Sequence, residues 1–221
     1  MCSSGKASRP SSVAEPWLQE PQAGPRDLSF AVVDLETTGG RPVAWWDRGG
    51  TFHPASEITE VGVVRMAGAL RQGTFTSLCA VERGVPPLIQ RLTGITPELL
   101  EGAPPWERVA LRLAEELEGR LWVAHHAPFD GSFLRQYLPD GVWRRHTLLC
   151  TLRLTARLIP EAPRRSLGFL VDFLGLAHAR PHRALPDAEA TGDLLQVLLE
   201  RAVAAGWDGE RLIDEGRVPW K

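Results

Sequence analysis

An apolar run that stops on two carboxylates constrains this chain more than any other feature. The run is Phe30-Ala31-Val32-Val33-Asp34-Leu35-Glu36-Thr37-Thr38-Gly39. Its aromatic and β-branched residues, and its abrupt end in small polar ones, predict a buried central strand. Successive strand side chains point to opposite faces, so Asp34 and Glu36 share one face while Leu35 takes the other. Two carboxylates side by side on a buried strand repel each other, and a bound cation relieves that repulsion. Hard oxygen donors of this kind select Mg²⁺ or Mn²⁺.

An Asp-x-Glu pair alone is common on solvated surfaces, and two further segments give this one meaning. Leu121-Trp122-Val123-Ala124-His125-His126-Ala127-Pro128-Phe129-Asp130 reads as a short apolar strand running through a turn into a helix. It places Asp130 in the first helical turn, where the helix macrodipole favours a carboxylate. In His182-Arg183-Ala184-Leu185-Pro186-Asp187-Ala188-Glu189-Ala190-Thr191 an imidazole precedes a carboxylate by five residues at the mouth of a long amphipathic helix. A histidine on a loop beside a helix-anchored carboxylate suits a water-activating base, because imidazole ordinarily titrates at about 6.5.

These three segments resemble the three exonuclease motifs of the DEDDh family, whose members include the proofreading epsilon subunits of bacterial replicative polymerases. The resemblance spans roughly Leu28 to Gly206, with His182 marking the histidine form of the third motif. Ile58-Thr59-Glu60-Val61-Gly62-Val63-Val64 resembles the family's second strand, and Leu92-Thr93-Gly94-Ile95-Thr96 its nucleotide-wedging turn. The resemblance implies an α/β, ribonuclease H-like fold with a mixed five-stranded sheet flanked by helices. It also implies a 3′–5′ exonuclease that releases nucleoside 5′-monophosphates with two Mg²⁺ or Mn²⁺ ions about 4 Å apart. Asp34, Glu36, Asp130 and Asp187 would be the metal ligands, and His182 would accept the proton of the attacking water. Leu35, Thr37, Thr38, Leu92, Thr93, Ile95, His126 and Phe129 would contact substrate. His126 departs from the family pattern, which more often has Asn there, and His125 is expected to organise the site rather than bind metal.

The implied partner is nucleic acid, with single-stranded or frayed DNA favoured and RNA the alternative, as in oligoribonuclease and ribonuclease T relatives. A proofreading or repair role fits, either alone or with a DNA polymerase assembly as partner. A non-catalytic interaction module of such an assembly is a further reading, and the complete set of five chemical residues argues against it. The net charge of −2, from 25 basic and 27 acidic residues, is unusual for a nucleic-acid enzyme. Between Arg144 and Arg183, however, eight arginines face two acidic residues. That half is a candidate backbone-tracking face, although an Arg-rich composition overall accounts for it equally well.

Cys2, Cys79 and Cys150 are too few and too scattered for a disulfide framework or a Cys-x-x-Cys zinc site, which suits a reducing cytoplasm. No apolar stretch approaches the roughly 20 residues of a membrane span, so no membrane association is expected. Residues 1–27 are rich in Ser, Pro, Gly and Gln and read as a flexible extension, with Trp17-Leu18 as its notable apolar pair. Residues 28–206 form the catalytic domain and 207–221 a short tail. Strands are expected near 58–66 and 72–82, and helices near 87–92, 106–117, 129–138, 151–159, 166–174 and 187–205, with His178 at the surface. The connection 40–57 carries Trp45-Trp46 among Gly and Pro, as a stacking surface for bases or as a plug for the sheet edge.

Overall fold

The computed structural model describes residues 23–139 and 141–220. The expected extension over 1–22, with Trp17 and Leu18, lies outside the described residues. In chain order the elements are β1 (Ser29–Thr37), β2 (Trp45–Trp46), β3 (Phe52–His53), β4 (Ile58–Ala67), β5 (Leu70–Leu78), α1 (Pro87–Thr93) and α2 (Trp106–Leu117). There follow β6 (Leu121–Ala124), α3 (Pro128–Tyr137), β7 (Leu148–Cys150), α4 (Thr151–Leu158), α5 (Leu167–Leu174), α6 (Ala184–Ala204), α7 (Gly209–Gly216) and β8 (Arg217–Val218).

The main sheet has the order β5-β4-β1-β6-β7-β8. β1 pairs antiparallel with β4 and parallel with β6, and β7 pairs parallel with β6 and antiparallel with β8. Parity along β1 decides what each face buries. Phe30 and Val32 join Val64 and Met66 under Leu194, Leu195, Leu198 and Leu199 of α6. Ala31 and Val33 join Val61 and Val63 under α2 and α3, against Leu113, Leu117, Phe133 and Leu134. The paired leucines of α6 recur one helical turn apart, which gives the helix a single apolar stripe. Each fully buried leucine contributes roughly 1.5–3 kcal/mol.

The expected five-stranded sheet is a six-stranded one, and the sixth strand comes from the segment expected to be a tail. Trp207, Leu212, Ile213 and Val218 are buried, and Trp220 stands edge-on to Trp122 with 5.4 Å between ring centroids. A helix of eight residues and a strand of two are too short to show a period, so the sequence pattern alone reads as a tail. The folded unit also starts before residue 28. Ala23 is buried, and its carbonyl accepts the Gly209 N–H at 2.9 Å.

Candidate active site

Asp34 and Glu36 lie at the end of β1 on the face that α6 covers, continuing the row of Phe30 and Val32. Their cross-strand neighbours on β4 are Gly62 and Glu60. Gly62 is required there by close approach: a Cβ on it would stand 2.3–2.4 Å from the backbone of Ala184 and Leu185. The missing side chain lets the first turn of α6 settle onto the sheet, which carries Asp187 to the two β1 carboxylates.

Asp130 reaches the site from the other side of β1. The β1–β6 ladder runs only from Phe30 to Val32, so the far end of β1 has no parallel neighbour. The first turn of α3 fills that place: buried Asp130 accepts the Leu35 N–H through Oδ1 at 3.1 Å. A carboxylate on a helix is thereby fixed to the backbone between the two acidic strand residues.

The loop before α6 is held by a clamp. Arg183 donates through Nε and a terminal nitrogen to the two oxygens of Glu60, at 2.8 and 2.6 Å, and Glu60 also accepts the Ala184 N–H at 3.0 Å. His182, one residue earlier, has a left-handed backbone with φ 61° and an exposed side chain. Its N–H donates to Asp187 Oδ2 at 3.2 Å, and its imidazole and the carboxylates of Glu36 and Asp187 bring ligand atoms within 4.8 Å of one another. His178, expected at the surface, is instead nearly buried, with Nε2 2.5 Å from Asp187 Oδ1. The α5–α6 connection folds it back over the start of α6, a non-local placement that no local pattern signals.

The electrostatics match this crowding. Burial, then the charges of Asp130, Asp187, Glu36 and Glu60, hold the Asp34 carboxyl well above the usual range. Burial and the charges of Asp187 and Glu60 push Glu36 up to about 8 despite the opposing Arg183 guanidinium. Burial also pushes Asp130 up to about 8, against hydrogen bonds from backbone N–H groups. Carboxylates that resist ionisation in place are groups short of positive charge, which is the condition a bound cation corrects.

The exonuclease family described as RNase T matches residues 31–195, a span that contains every carboxylate and both histidines just described. The chain belongs to this exonuclease family. A Mycobacterium tuberculosis protein named as a bifunctional exonuclease/endonuclease is 39% identical over 189 residues, covering 84% of this chain and 28% of that protein. The exonuclease thus spans well under half of that longer relative. The DNA polymerase III epsilon subunit of Aquifex aeolicus is 31% identical over 176 residues, covering 79% of this chain and 82% of the subunit. Among solved structures, exonuclease X in complex with 5′ overhanging duplex DNA superposes with a TM-score of 0.63 at 24% identity, covering 84% of this chain and 98% of that one. Its likeness bears on the fold, a mixed sheet flanked by helices.

The expected substrate contacts of the exonuclease divide by burial. Leu35 and Ile95 are buried in the core, and Thr93 is buried with its hydroxyl donating to the Ile89 carbonyl and accepting the Ile95 N–H. From that turn it is Leu92, half exposed, that meets solvent. Thr37 is buried with its hydroxyl on the Gly39 carbonyl, and the Thr38 hydroxyl accepts the Glu57 N–H. Phe129 is half-buried against Phe133, while His126 is exposed with φ 61°. Both ring nitrogens of His125 are engaged, with Thr151 Oγ1 at 2.9 Å and the Arg165 carbonyl at 2.8 Å, so its part is to tie the end of β6 to the start of α4 and to the α4–α5 connection. Glu60 and Arg183 had no role from the sequence. The signal available was an acid inside the otherwise uncharged stretch 58–64 of β4.

Proposed function

We propose that this chain is a metal-dependent 3′–5′ exonuclease that removes nucleoside 5′-monophosphates from single-stranded or frayed DNA. The observation that carries the reading is the convergence of Asp34, Glu36, Asp130 and Asp187, three of them with raised carboxyl pKa values, beside an exposed imidazole. Asp34, Glu36, Asp130 and Asp187 would hold two Mg²⁺ or Mn²⁺ ions, since all four donors are hard oxygens and their mutual repulsion calls for cationic charge. When bound, such ions stabilise developing charge on phosphate and leaving oxygens and lower the pKa of a water.

The chain's own residues do the rest. His182, exposed at the rim and tied through its backbone to Asp187, takes the proton of the attacking water. The Glu60–Arg183 clamp sets the height of the His182 loop over the sheet. Asp130, pinned on the Leu35 N–H, keeps its carboxylate directed at the end of β1. Leu92 and Phe129 offer apolar surface for the terminal bases. DNA is favoured because the relatives named above include a DNA polymerase subunit and an exonuclease bound to DNA. Buried, unpaired Cys79 and Cys150 fit a reducing cytoplasm. Among the described residues no helix is long and apolar enough to cross a membrane.

The test is incubation of the protein with 5′-labelled single-stranded DNA and RNA of one sequence in Mg²⁺ or Mn²⁺, beside Asp34→Ala. A ladder shortening from the 3′ end, absent without metal and absent in the variant, is the expected result. Intact DNA under every condition, or shortening that survives Asp34→Ala, overturns the reading.

A further inference from the structure

The β2–β3 hairpin is the largest exposed aromatic feature among the described residues, and it grows directly out of the active-site strand. Beyond Glu36 the β1–β4 pairing continues through Thr37 opposite Ile58, then through the Thr38 N–H to the Glu57 carbonyl at 2.8 Å and the Ser56 N–H to the Arg41 carbonyl at 2.7 Å. The hairpin is therefore anchored to the strand that bears Asp34 and Glu36. Its tip is fixed by Asp47, whose Oδ1 accepts the N–H groups of Gly49 and Thr51 at 2.9 and 2.8 Å.

The two tryptophans have different lots, because neighbouring strand residues face opposite ways. Trp45 is already covered: its ring stacks on His53 at 4.3 Å, and the Arg41 guanidinium lies 4.1 Å from its centroid. Trp46 is 68% exposed and leans on Phe52, itself 51% exposed, with ring centroids 5.2 Å apart. Neither tryptophan joins a core cluster, so the sheet-plug reading of this pair does not hold. Charge selects the occupant. The hairpin's carboxylate, Asp47, is satisfied within it and paired with His53, whereas exposed Arg41 and Arg48 have no ion-pair partner among the described residues. An open aromatic pair on a hairpin that also carries two unneutralised guanidinium groups, Arg41 on the Trp45 face and Arg48 two residues after Trp46, and that is continuous with a nuclease site, has the chemistry of a single-strand platform: π-faces for bases and cations for phosphates.

We infer that Trp46 and Phe52 form a stacking platform for single-stranded nucleic acid upstream of the scissile 3′ end. The inference rests on the exonuclease reading for its occupant. About ten residues separate Glu36 from Trp46, which bounds the span at roughly 35 Å. On this proposal the platform holds bases of a strand several nucleotides long, and a mononucleotide ester at the carboxylates does not occupy it.

The experiment compares wild type, Trp46→Ala, Phe52→Ala and the double variant on two substrates, the p-nitrophenyl ester of thymidine 5′-monophosphate and a 30-nucleotide single strand. In parallel, fluorescence anisotropy measures binding of the same labelled strand in an Asp34→Ala background. Loss of one stacked base corresponds to roughly 5–150-fold in affinity. The expected result is a rise of that size in the strand's KM and Kd in each variant, with ester turnover unchanged. Equal strand affinity in all four proteins overturns the platform, as does a parallel loss on ester and strand, which would mark the hairpin as structural. Failure of wild type on both substrates would overturn the exonuclease reading, and the anisotropy arm would still decide the platform.

Discussion

Arg183 grips Glu60 with two nitrogens on two oxygens, 2.8 and 2.6 Å apart, at the point where β4 meets the start of α6. The pair is largely buried, and Glu60 stands opposite Glu36 across the strands. Its effect is to fasten the residue after His182 to a strand 123 positions earlier in the chain. Removing Arg183 leaves the Glu60 carboxylate buried without its countercharge, which costs about 3–5 kcal/mol. Arg183→Ala is expected to lower Tm by roughly 6–20 °C, since each kcal/mol is worth about 2–4 °C in a chain of this size. Arg183→Lys keeps the charge and loses the fork, so it should retain most of the Tm while lowering kcat. Calorimetry together with single-turnover rates separates the two effects.

Gly62→Ala is expected to be far worse than a strand alanine normally is. The added Cβ meets Ala184 and Leu185 backbone, which cannot yield as a side chain can. Either α6 shifts away from the sheet or the strand bends, and both move Asp187 from Asp34. Activity should fall at least 10²-fold, as misplacement of about 1 Å can cause. Gly168→Ala on α5 is a useful control, because a Cβ there meets nothing within 4 Å.

The raised carboxyls make metal-free stability depend on pH. Glu36 and Asp130 move from ordinary values of 4.5 and 3.8 up to about 8, so between those limits the folded chain holds more protons than the unfolded one. Stability then falls as pH rises through that window and levels off above about 8. Thermal melts in EDTA should show Tm decreasing from pH 5.5 to 8.5. Mn²⁺ at about a hundred times its Kd at pH 8 should restore about 2.7 kcal/mol there, or roughly 5–10 °C, and the same concentration should restore less at pH 6, where protons compete for the carboxylates. A metal-free Tm that rises across the window would contradict the burial of these groups.

His182 and His178 both approach Asp187, and their variants should separate. His182→Ala is expected to reduce kcat by roughly 10²–10⁴ with metal affinity nearly kept, as loss of a general base requires. His178→Ala removes the partner of Asp187 Oδ1, and outer partners of a ligand are typically worth about 10–100-fold in metal affinity. Its kcat at saturating Mn²⁺ should be close to wild type, with the metal titration displaced to higher concentration.

Much of this site was legible because its chemistry sits in local contexts. Parity placed Asp34 and Glu36 on one face, a strand-to-helix turn placed Asp130, and the spacing of His182 and Asp187 marked a loop and a helix start. The pieces that escaped are joined by long-range contact. Glu60 and Arg183 are 123 positions apart, His178 reaches Asp187 only through the fold of a connecting loop, and Gly62 is explained by what a helix does above it. Ile95 and Thr93 show the converse, since an apolar or small residue in a matched turn can serve the turn itself. The sixth strand was missed because two residues carry no period, and the closing helix because its burial depends on β7 already being in place.

His126 and His182 are the non-glycine residues with left-handed backbones among those described, and each belongs to one of the loops that shape the site. For an L-residue that conformation costs about 1–2 kcal/mol, so the fold carries a local penalty at two positions that a search for robustness alone would remove. Glycine at either position should therefore give a protein that resists heat better and works less well. Selection on thermal endurance would erode this enzyme from the active site outward, with the core left intact.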